Sequence, residues 1–300
     1  MTGSSWNNSP ASAPSVDRRA PLRIGILSDL HVDRNRGRTN EVVDALTNTL
    51  RHNRPDAFIC AGDISNDYTE SLSVLEELRG ATGVPTFFVP GNHDVWNKRH
   101  EHLDAWQIHN ELRRFTGTLS GRVVELDGEW VLVGETGWYD FSLGSGAYAE
   151  EEFERMEIEG RVWQDRLFAQ WGMPTREVHR LFLERLRARL ERARKRAGRT
   201  RHGSKIIMVT HAVPVTDFAV PFRPELWSYL NAFLGSREYG DLAMEFGVSV
   251  SICGHVHFRR EARHRPTRFI CNCLGYRHEW RGNDNAFIEV SRAYREITLH

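Results

Sequence analysis

The chain has 300 residues, a length typical of one large domain or two small ones. Its 40 Lys and Arg residues balance its 40 Asp and Glu residues. The resulting net charge of zero makes a nucleic-acid partner unlikely, because sequence-independent binding needs a basic excess. Hydrophobic residues make up 40% and charged residues 27% of the chain, which is globular composition and excludes a disordered protein.

Residues 1–20 are polar and rich in Ser and Pro, which predicts a disordered tail rather than a signal peptide or anchor. No apolar run approaches the ~20 residues of a membrane-spanning helix, so no membrane partner is expected. The cysteines form no C-x-x-C pair and are too sparse for a disulfide scaffold; they are Cys60, Cys253, Cys271 and Cys273. Buried, reduced thiols and a cytoplasmic location are therefore predicted.

Short apolar runs alternate with amphipathic stretches through most of the chain. Runs at 22–27, 57–61, 84–89, 205–210 and 248–253 predict strands, and the stretches between the first three predict helices. Since these runs are continuously apolar, the predicted sheet is covered on both faces. This alternation is typical of an α/β fold.

The middle of the chain departs from this rhythm. Apolar runs on either side of Asp127-Gly128 predict a hairpin, and residues 175–197 predict a long helix with Val178 and Phe182 on its apolar face. Residues 138–175 are rich in aromatic residues and Glu, and they predict a mostly helical insertion. We therefore expect one domain over 21–300, in which 138–175 forms either a cap over the site or a separate, self-packed subdomain.

Each predicted strand ends in residues that can bind a metal ion. Ligands of open α/β sheets bind at the carboxyl ends of the strands, so these side chains are expected to converge. Carboxylates, imidazoles and an amide without thiolates suit Mn, Fe or Zn, and their number exceeds the needs of one ion. The sequence thus predicts two transition-metal ions and, from their residual positive charge, an anionic substrate. The candidate residues are Asp29, His31, Asp63, Asn92, His93, Asp94, His211, His255 and His257.

The order of these motifs resembles the calcineurin-like metallophosphoesterase superfamily. The motifs are Asp29-Leu30-His31, Gly62-Asp63, Gly91-Asn92-His93-Asp94, His211 and Gly254-His255-Val256-His257. The resemblance implies a four-layer α/β/β/α sandwich of two mixed sheets flanked by helices. It also implies a metal-dependent hydrolase that cleaves a small-molecule phosphomonoester or phosphodiester by a metal-activated hydroxide.

The same resemblance implies roles for individual residues. One metal ion would be bound by Asp29, His31, Asp63 and His257. The second would share Asp63 as a bridge and be bound by Asn92, His211 and His255. His93 would face the scissile phosphate as the catalytic acid, and Asp94 would orient it. A carboxylate beside an imidazole commonly fixes its tautomer, which agrees with that role.

Aromatic residues are the candidates for binding the organic part of the substrate. They are Trp138 and Tyr139 in the predicted cap, with Phe218 opposite them after His211. Alternatives to phosphate-ester hydrolysis are a diphosphatase acting on a nucleotide-diphosphate-linked substrate, a nuclease and a scaffold protein. Three further histidines, His100, His102 and His109, are predicted to be exposed on a charged helix.

Overall fold

A computed structural model of the chain describes residues 21–37, 40–127, 129–197, 205–221, 224–280 and 284–300. The predicted tail at 1–20 lies outside these residues. In chain order the described elements are β1 (Leu22–Leu27), α1 (Glu41–Asn53), β2 (Ala57–Cys60), α2 (Tyr68–Thr82), β3 (Thr86–Phe88), α3 (Ala105–Leu112), β4 (Val123–Glu125), β5 (Trp130–Glu135), α4 (Glu150–Glu154), β6 (Glu157–Ile158), β7 (Arg161–Val162), α5 (Asp165–Phe168), α6 (Thr175–Ala197), β8 (Lys205–Thr210), α7 (Pro224–Leu230), α8 (Glu238–Glu245), β9 (Val250–Cys253), β10 (Arg259–His264), β11 (Thr267–Asn272), α9 (Ala286–Ala293) and β12 (Arg295–Leu299).

Two mixed sheets organise the described part of the chain. The first has the strand order β12-β1-β2-β3, with β12 antiparallel to β1 and the other pairs parallel. The second has the order β10-β11-β9-β8-β5-β4, with antiparallel pairs at both edges and parallel pairs between them. The predicted hairpin is confirmed as the antiparallel pair β4–β5.

The alternation of side chains along the strands creates the layers. Ile24 and Ile26 of β1 pack in one buried cluster with Ile207 and Val209 of β8. This cluster is the interface between the two sheets, because successive strand side chains point to opposite faces. Each such aliphatic side chain contributes about 1.5–3 kcal/mol when fully buried.

Helices cover the outer faces of both sheets. Residues of α1, α2, α3 and α9 pack with the outward residues Phe58 and Cys60 of β2. On the other side, α6 and α8 pack against Val131 and Val133 of β5. The order helix, sheet, sheet, helix confirms the predicted four-layer sandwich.

The prediction of a mostly helical insertion at 138–175 is wrong. That stretch contains two helices of one turn, α4 and α5, and the two-stranded ribbon β6–β7. Glu159 and Gly160 join the two strands with positive φ values of 51° and 72°, the conformation of a type I′ turn, which ends any helix there. Helix α9 was also not predicted. Asn285 is its N-cap, and the Asn285 side chain accepts from the Phe287 and Ile288 N–H groups.

The cysteines behave as predicted, since all four are buried and unpaired. Within the described ranges, no helix is both long enough and apolar enough to cross a membrane.

Candidate metal centre

The predicted ligands follow the ends of strands from both sheets. In the first sheet, Asp29 and His31 follow β1 and Asp63 follows β2. In the second, His211 follows β8, and His255 follows β9 two residues before His257. Because these strand ends meet at one edge of the sandwich, residues far apart in the sequence come together there.

The backbone at this edge is held in an unusual conformation. The residues Asp29, His31, Asp63, His255 and His257 all have positive φ values, between 41° and 78°. This left-handed region costs residues other than glycine roughly 1–2 kcal/mol each. Such strain is found at sites where side chains must point to one centre.

Two glycines allow the loops to approach the carboxylates closely. A Cβ atom at Gly91 would lie 2.0 Å from Asp63 Oδ1, and one at Gly254 would lie 2.7 Å from Asp29 Oδ2. Both distances are shorter than atoms can tolerate, so a larger residue at either position would displace a predicted ligand.

The ligand atoms fall into two groups that share one carboxylate. The first group is Asp29, His31, Asp63 and His257, and the second is Asp63, His211 and His255, with all ligand atoms of a group within 4.8 Å of one another. Asp63 Oδ2 lies 3.7 Å from His31 Nε2 and 3.4 Å from His211 Nε2. This atom therefore faces both groups.

Hydrogen bonds fix the ring tautomers in the second group. His211 Nδ1–H donates to the Ala61 carbonyl at 2.7 Å, and His255 Nε2–H donates to the Phe233 carbonyl at 3.1 Å. The remaining nitrogens, His211 Nε2 and His255 Nδ1, therefore carry lone pairs, and they lie 3.1 Å apart. Two lone pairs at this distance repel each other unless a cation lies between them.

An amide oxygen completes the second group. Asn92 Nδ2 donates to Asp165 Oδ1 at 2.8 Å, so Asn92 Oδ1 is the atom that faces the centre, 3.0 Å from His211 Nε2. Asp165 is 2% exposed and also accepts from the indole N–H groups of Trp96 and Trp163. The hydrogen bond to the Asp165 carboxylate therefore orients the Asn92 amide so that its oxygen faces the second ligand group.

The first group also brings two imidazole nitrogens close together. His257 Nδ1–H donates to Glu279 at 2.8 Å, which leaves His257 Nε2 as an acceptor 3.0 Å from His31 Nε2. Asp29 Oδ1 lies 3.6 Å from His257 Nε2, and Ser28 Oγ donates to the other Asp29 oxygen at 2.5 Å. Two ring nitrogens and two carboxylates thus face one point in this group, a donor set that a divalent cation binds, so the residues present fit the predicted metal ions.

Burial sets the protonation of these side chains. Desolvation lowers the pKa of His31 and of His255 well below the usual value, so both imidazoles are neutral and able to bind a metal ion. Desolvation also raises the pKa of Asp63. Burial opposes protonation of His211, but the nearby Asp63 carboxylate outweighs it and raises the pKa of His211. In the metal-free protein the raised pKa of His211 therefore puts a proton on Nε2, in the place that a divalent cation would take.

His93 lies at the centre but belongs to neither ligand group. Its Nδ1–H donates to Asn66 Oδ1 at 2.5 Å, and its Nε2 lies 3.4 Å from the Tyr276 hydroxyl and 3.9 Å from Asp63 Oδ2. The predicted partnership of His93 with Asp94 is wrong. The Asp94 carboxylate instead accepts from the N–H groups of Asp63 and Gly91, because it folds back beneath the loops and fixes their backbone.

A cavity of about 440 Å³ opens beside His93, His255 and His257. One wall is largely apolar, formed by Trp96, Trp163, Val220, Trp227, Val256 and Phe258. This wall offers a surface for an organic group attached to a phosphate at the metal centre.

The structure does not place the predicted substrate-binding aromatics in that wall. Trp138 and Tyr139 are 3% and 2% exposed and pack beneath Asn92 and His211, and Phe218 is fully buried in the layer outside the second sheet. These side chains fill the core next to the ligands. The aromatic wall comes partly from Trp163 in the 138–175 stretch, so that stretch contributes to the cavity through a residue other than Trp138 and Tyr139.

Sequence reasoning missed the residues that orient the ligands. Asn66, Asp165 and Glu279 carry no motif of their own, although Asn66 follows Asp63 by only three positions. Asp165 had one signal, since it is a lone carboxylate between aromatic residues, a composition that favours burial with hydrogen-bond partners.

Comparison with known proteins identifies the class to which this fold and site belong. A family model described as calcineurin-like phosphoesterase matches residues 22–259. The chain therefore belongs to the calcineurin-like phosphoesterase family and is a hydrolase that acts on phosphate esters. The search of curated proteins finds no significant match.

Two solved structures show the same fold. A phosphopantetheinyl hydrolase from Mycobacterium tuberculosis aligns with a TM-score of 0.70 and 21% identity, over 93% of this chain and 96% of that one. A dimetal phosphatase from Danio rerio aligns with a TM-score of 0.52 and 15% identity, over 84% of this chain and 87% of that one. Both are similar to this protein in architecture.

Proposed function

We propose that this protein hydrolyses a phosphomonoester or phosphodiester with two transition-metal ions. The observation that supports the proposal is the pair of ligand groups around Asp63 Oδ2, each of which brings two imidazole nitrogens to within 3.1 Å of each other beside a carboxylate. The first ion would be held by Asp29, His31, Asp63 and His257. The second would be held by Asp63, Asn92, His211 and His255.

The donor set suits Mn, Fe or Zn, since it combines imidazoles, carboxylates and one amide oxygen without sulfur. When bound, two such ions supply an acidified water molecule as nucleophile and neutralise the charge of the phosphate. Asp63 would bind both ions. Gly91 and Gly254 leave room for the Asp63 and Asp29 carboxylates, because a Cβ atom at either glycine would collide with them.

His93 is the residue of this chain that would move a proton. It holds one proton on Nδ1, where Asn66 Oδ1 accepts it, so a proton on Nε2 is the one available to the leaving oxygen of the ester. Desolvation lowers the pKa of His93, so Nε2 is unprotonated in the absence of substrate, and the negative charge of a phosphate ester bound beside it would favour the protonated form that acts as the acid. Asn66 keeps the ring in place and, being uncharged, does not stabilise the imidazolium.

The experiment compares His93→Gln with wild type in the metal-loaded protein. We expect near-normal metal content and a kcat reduced by about 10²–10⁴-fold, the usual contribution of general acid catalysis. The reduction should be larger for alkyl phosphates than for p-nitrophenyl phosphate, because nitrophenolate leaves without a proton. Equal losses on both esters would exclude the acid role, and loss of metal would make His93 a ligand.

A phosphopantetheinyl ester is a second candidate substrate. The structural neighbour from Mycobacterium tuberculosis is described as a phosphopantetheinyl hydrolase. The cavity of about 440 Å³ with its apolar wall would accommodate a long organic group. A panel of p-nitrophenyl phosphate, its bis-ester, a phosphopantetheinyl ester and a nucleotide-sugar separates this activity from simple phosphatase and diphosphatase action. Turnover of none of them would leave the nuclease and the scaffold as alternatives.

A further inference from the structure

An unpaired guanidinium lies at the rim of the candidate active site. Arg34 is exposed on the turn that follows His31, and it lines the 440 Å³ cavity together with His93 and His257. Within the described residues its side chain makes one contact, a cation–π contact at 5.0 Å from the Tyr276 ring centroid. No carboxylate among those residues pairs with it.

The position of Arg34 is fixed by its neighbour in the chain. Asn35 is fully buried, and its Nδ2 donates to the carbonyls of Leu30 and Gly275, each at 2.8 Å. The Asn35 side-chain oxygen accepts from the Arg277 N–H at 2.7 Å. The turn carrying Arg34 is therefore attached to the segment carrying Tyr276, which limits the entropy lost when the guanidinium binds a ligand.

Arg34 also lines a second cavity that adjoins the first. This cavity is about 370 Å³ and is lined by Arg34, Tyr276, Arg277, His278 and Asp284. Arg277 is already paired with Glu41 and Asp284, at 2.9 Å and 3.3 Å. Arg34 is thus the cation without a counter-charge at the junction of the two cavities.

A single aromatic ring separates Arg34 from the ligands. The Tyr276 ring centroid is 4.4 Å from that of His31 and 4.4 Å from that of His257. An anionic group bound by Arg34 would therefore lie next to, but not at, the predicted position of the scissile phosphate. The acids that line the two cavities near Tyr276 have other partners: Glu279 accepts from the His257 ring and the Tyr276 N–H, and Asp284 pairs with Arg277.

We propose that Arg34 binds a second anionic group of the substrate, a carboxylate or another phosphate on the organic part of the ester. The inference rests on the proposed phosphoesterase function and narrows its substrate class. A planar guanidinium that forms no hydrogen bond with the described residues can recognise these two groups by paired, charge-assisted hydrogen bonds. Trp163 and Trp227 on the apolar wall would hold the rest of the organic part.

The test uses the metal-loaded full chain and a series of phosphate esters. The first arm compares ω-carboxyalkyl phosphates with alkyl phosphates of the same length, and the second arm replaces the carboxylate by a second phosphate. We expect wild type to prefer the member that carries the second anionic group, in at least one pair, by about 10–100-fold in kcat/KM, as a charge-assisted contact gives. Arg34→Met should abolish that preference through KM while alkyl phosphate turnover stays unchanged.

Arg36→Met is the matched control, because Arg36 lies on the same loop and is already paired with Glu70. It should retain the preference. The proposal is overturned if wild type shows no preference in either arm, or if Arg34→Met lowers turnover of both members of a pair equally. Absence of turnover of every ester by wild type would instead contradict the phosphoesterase function, so the two failures are distinguishable.

Discussion

Two clusters of buried charged side chains lie at the ends of strands in this protein, and they differ in the source of their positive charge. One is the candidate metal centre around Asp63. The other surrounds Glu135, the last residue of β5, which is fully buried. Arg189 Nη2 on α6 lies 2.7 Å from Glu135 Oε2, and Ser120 Oγ donates to Oε1 at 2.7 Å. The Glu135 cluster thus contains its own cation.

The pKa values express this difference. Although burial alone would raise it, hydrogen bonding to His109 and the charge of Arg189 hold the pKa of Glu135 well below its usual range. Burial raises the pKa of Asp63, and no Lys or Arg is among the groups that chiefly shift it. A buried carboxylate therefore does not by itself indicate a metal site. A metal site is indicated where a buried carboxylate is surrounded by acceptor atoms of side chains whose N–H groups already donate hydrogen bonds elsewhere.

The largest effect is expected from Asp63→Asn. This change removes the shared negative charge, so both metal positions weaken, and activity should fall by more than the 10–100-fold typical of losing an outer partner of a metal ligand. Elemental analysis of the purified variant should show fewer ions than any other single-ligand variant. Retention of two ions per chain would contradict the bridging position.

Glu135→Gln should have the opposite profile. It leaves Arg189 charged and buried without its partner, which typically costs about 3–5 kcal/mol. Urea unfolding should show this loss, whereas metal content and the ratio of activities on different esters should match wild type. A fall in metal content at unchanged stability would show that the two clusters are not separate.

Asp165 tests how the second ligand group is oriented. Asp165→Leu removes the acceptor for Asn92 Nδ2, so the amide is free to turn, and metal affinity at that position should fall by about 10–100-fold. Metal titration should then resolve one tight and one weak ion. Asp165→Asn is the control, because it retains an acceptor oxygen and should lose less.

The smallest effect is a pH dependence of stability that belongs to Glu135. Its folded-state pKa lies below the ordinary value of 4.5, so its stabilising contribution is full above that pH and is lost as the pH falls below it. The difference in unfolding free energy between wild type and Glu135→Gln should therefore be constant near neutrality and shrink below about pH 4.5. If this difference in unfolding free energy instead grew as the pH fell, the pKa of Glu135 would be raised in the folded protein, not lowered.

The strands β1, β2, β3, β5, β8 and β9 and an α/β fold were predictable from the sequence, because continuous apolar runs are local features. The arrangement in two sheets was implied by the resemblance of the motifs to a known family, and β6 and β7 were not predicted. The sequence also singled out residues that the structure brings together at one edge. The orienting partners were not predictable in this way, since Asn92 and Asp165 are 73 positions apart and meet only in the folded chain.

His109 shows a signal that was present and not used. It was predicted to be exposed, yet it is 1% exposed and faces Glu135, while His102 is exposed as expected. The buried residues of α3 are Ala105, Ile108, His109 and Leu112, a spacing of three and four that defines one helix face. Periodicity placed His109 on the inner face, although its charge suggested the surface.

The distribution of the ligands over the chain has a consequence for the order in which the protein assembles. His31 and His257 are 226 positions apart, and the second ligand group is incomplete until β8 and β9 have been synthesised and docked. A nascent chain that has formed only β1 to β3 presents Asp29, His31 and Asp63, fewer than either position needs. If the proposed metal centre is correct, metal binding would therefore be one of the last steps of folding, and the ions would link residues of the two sheets once both are in place.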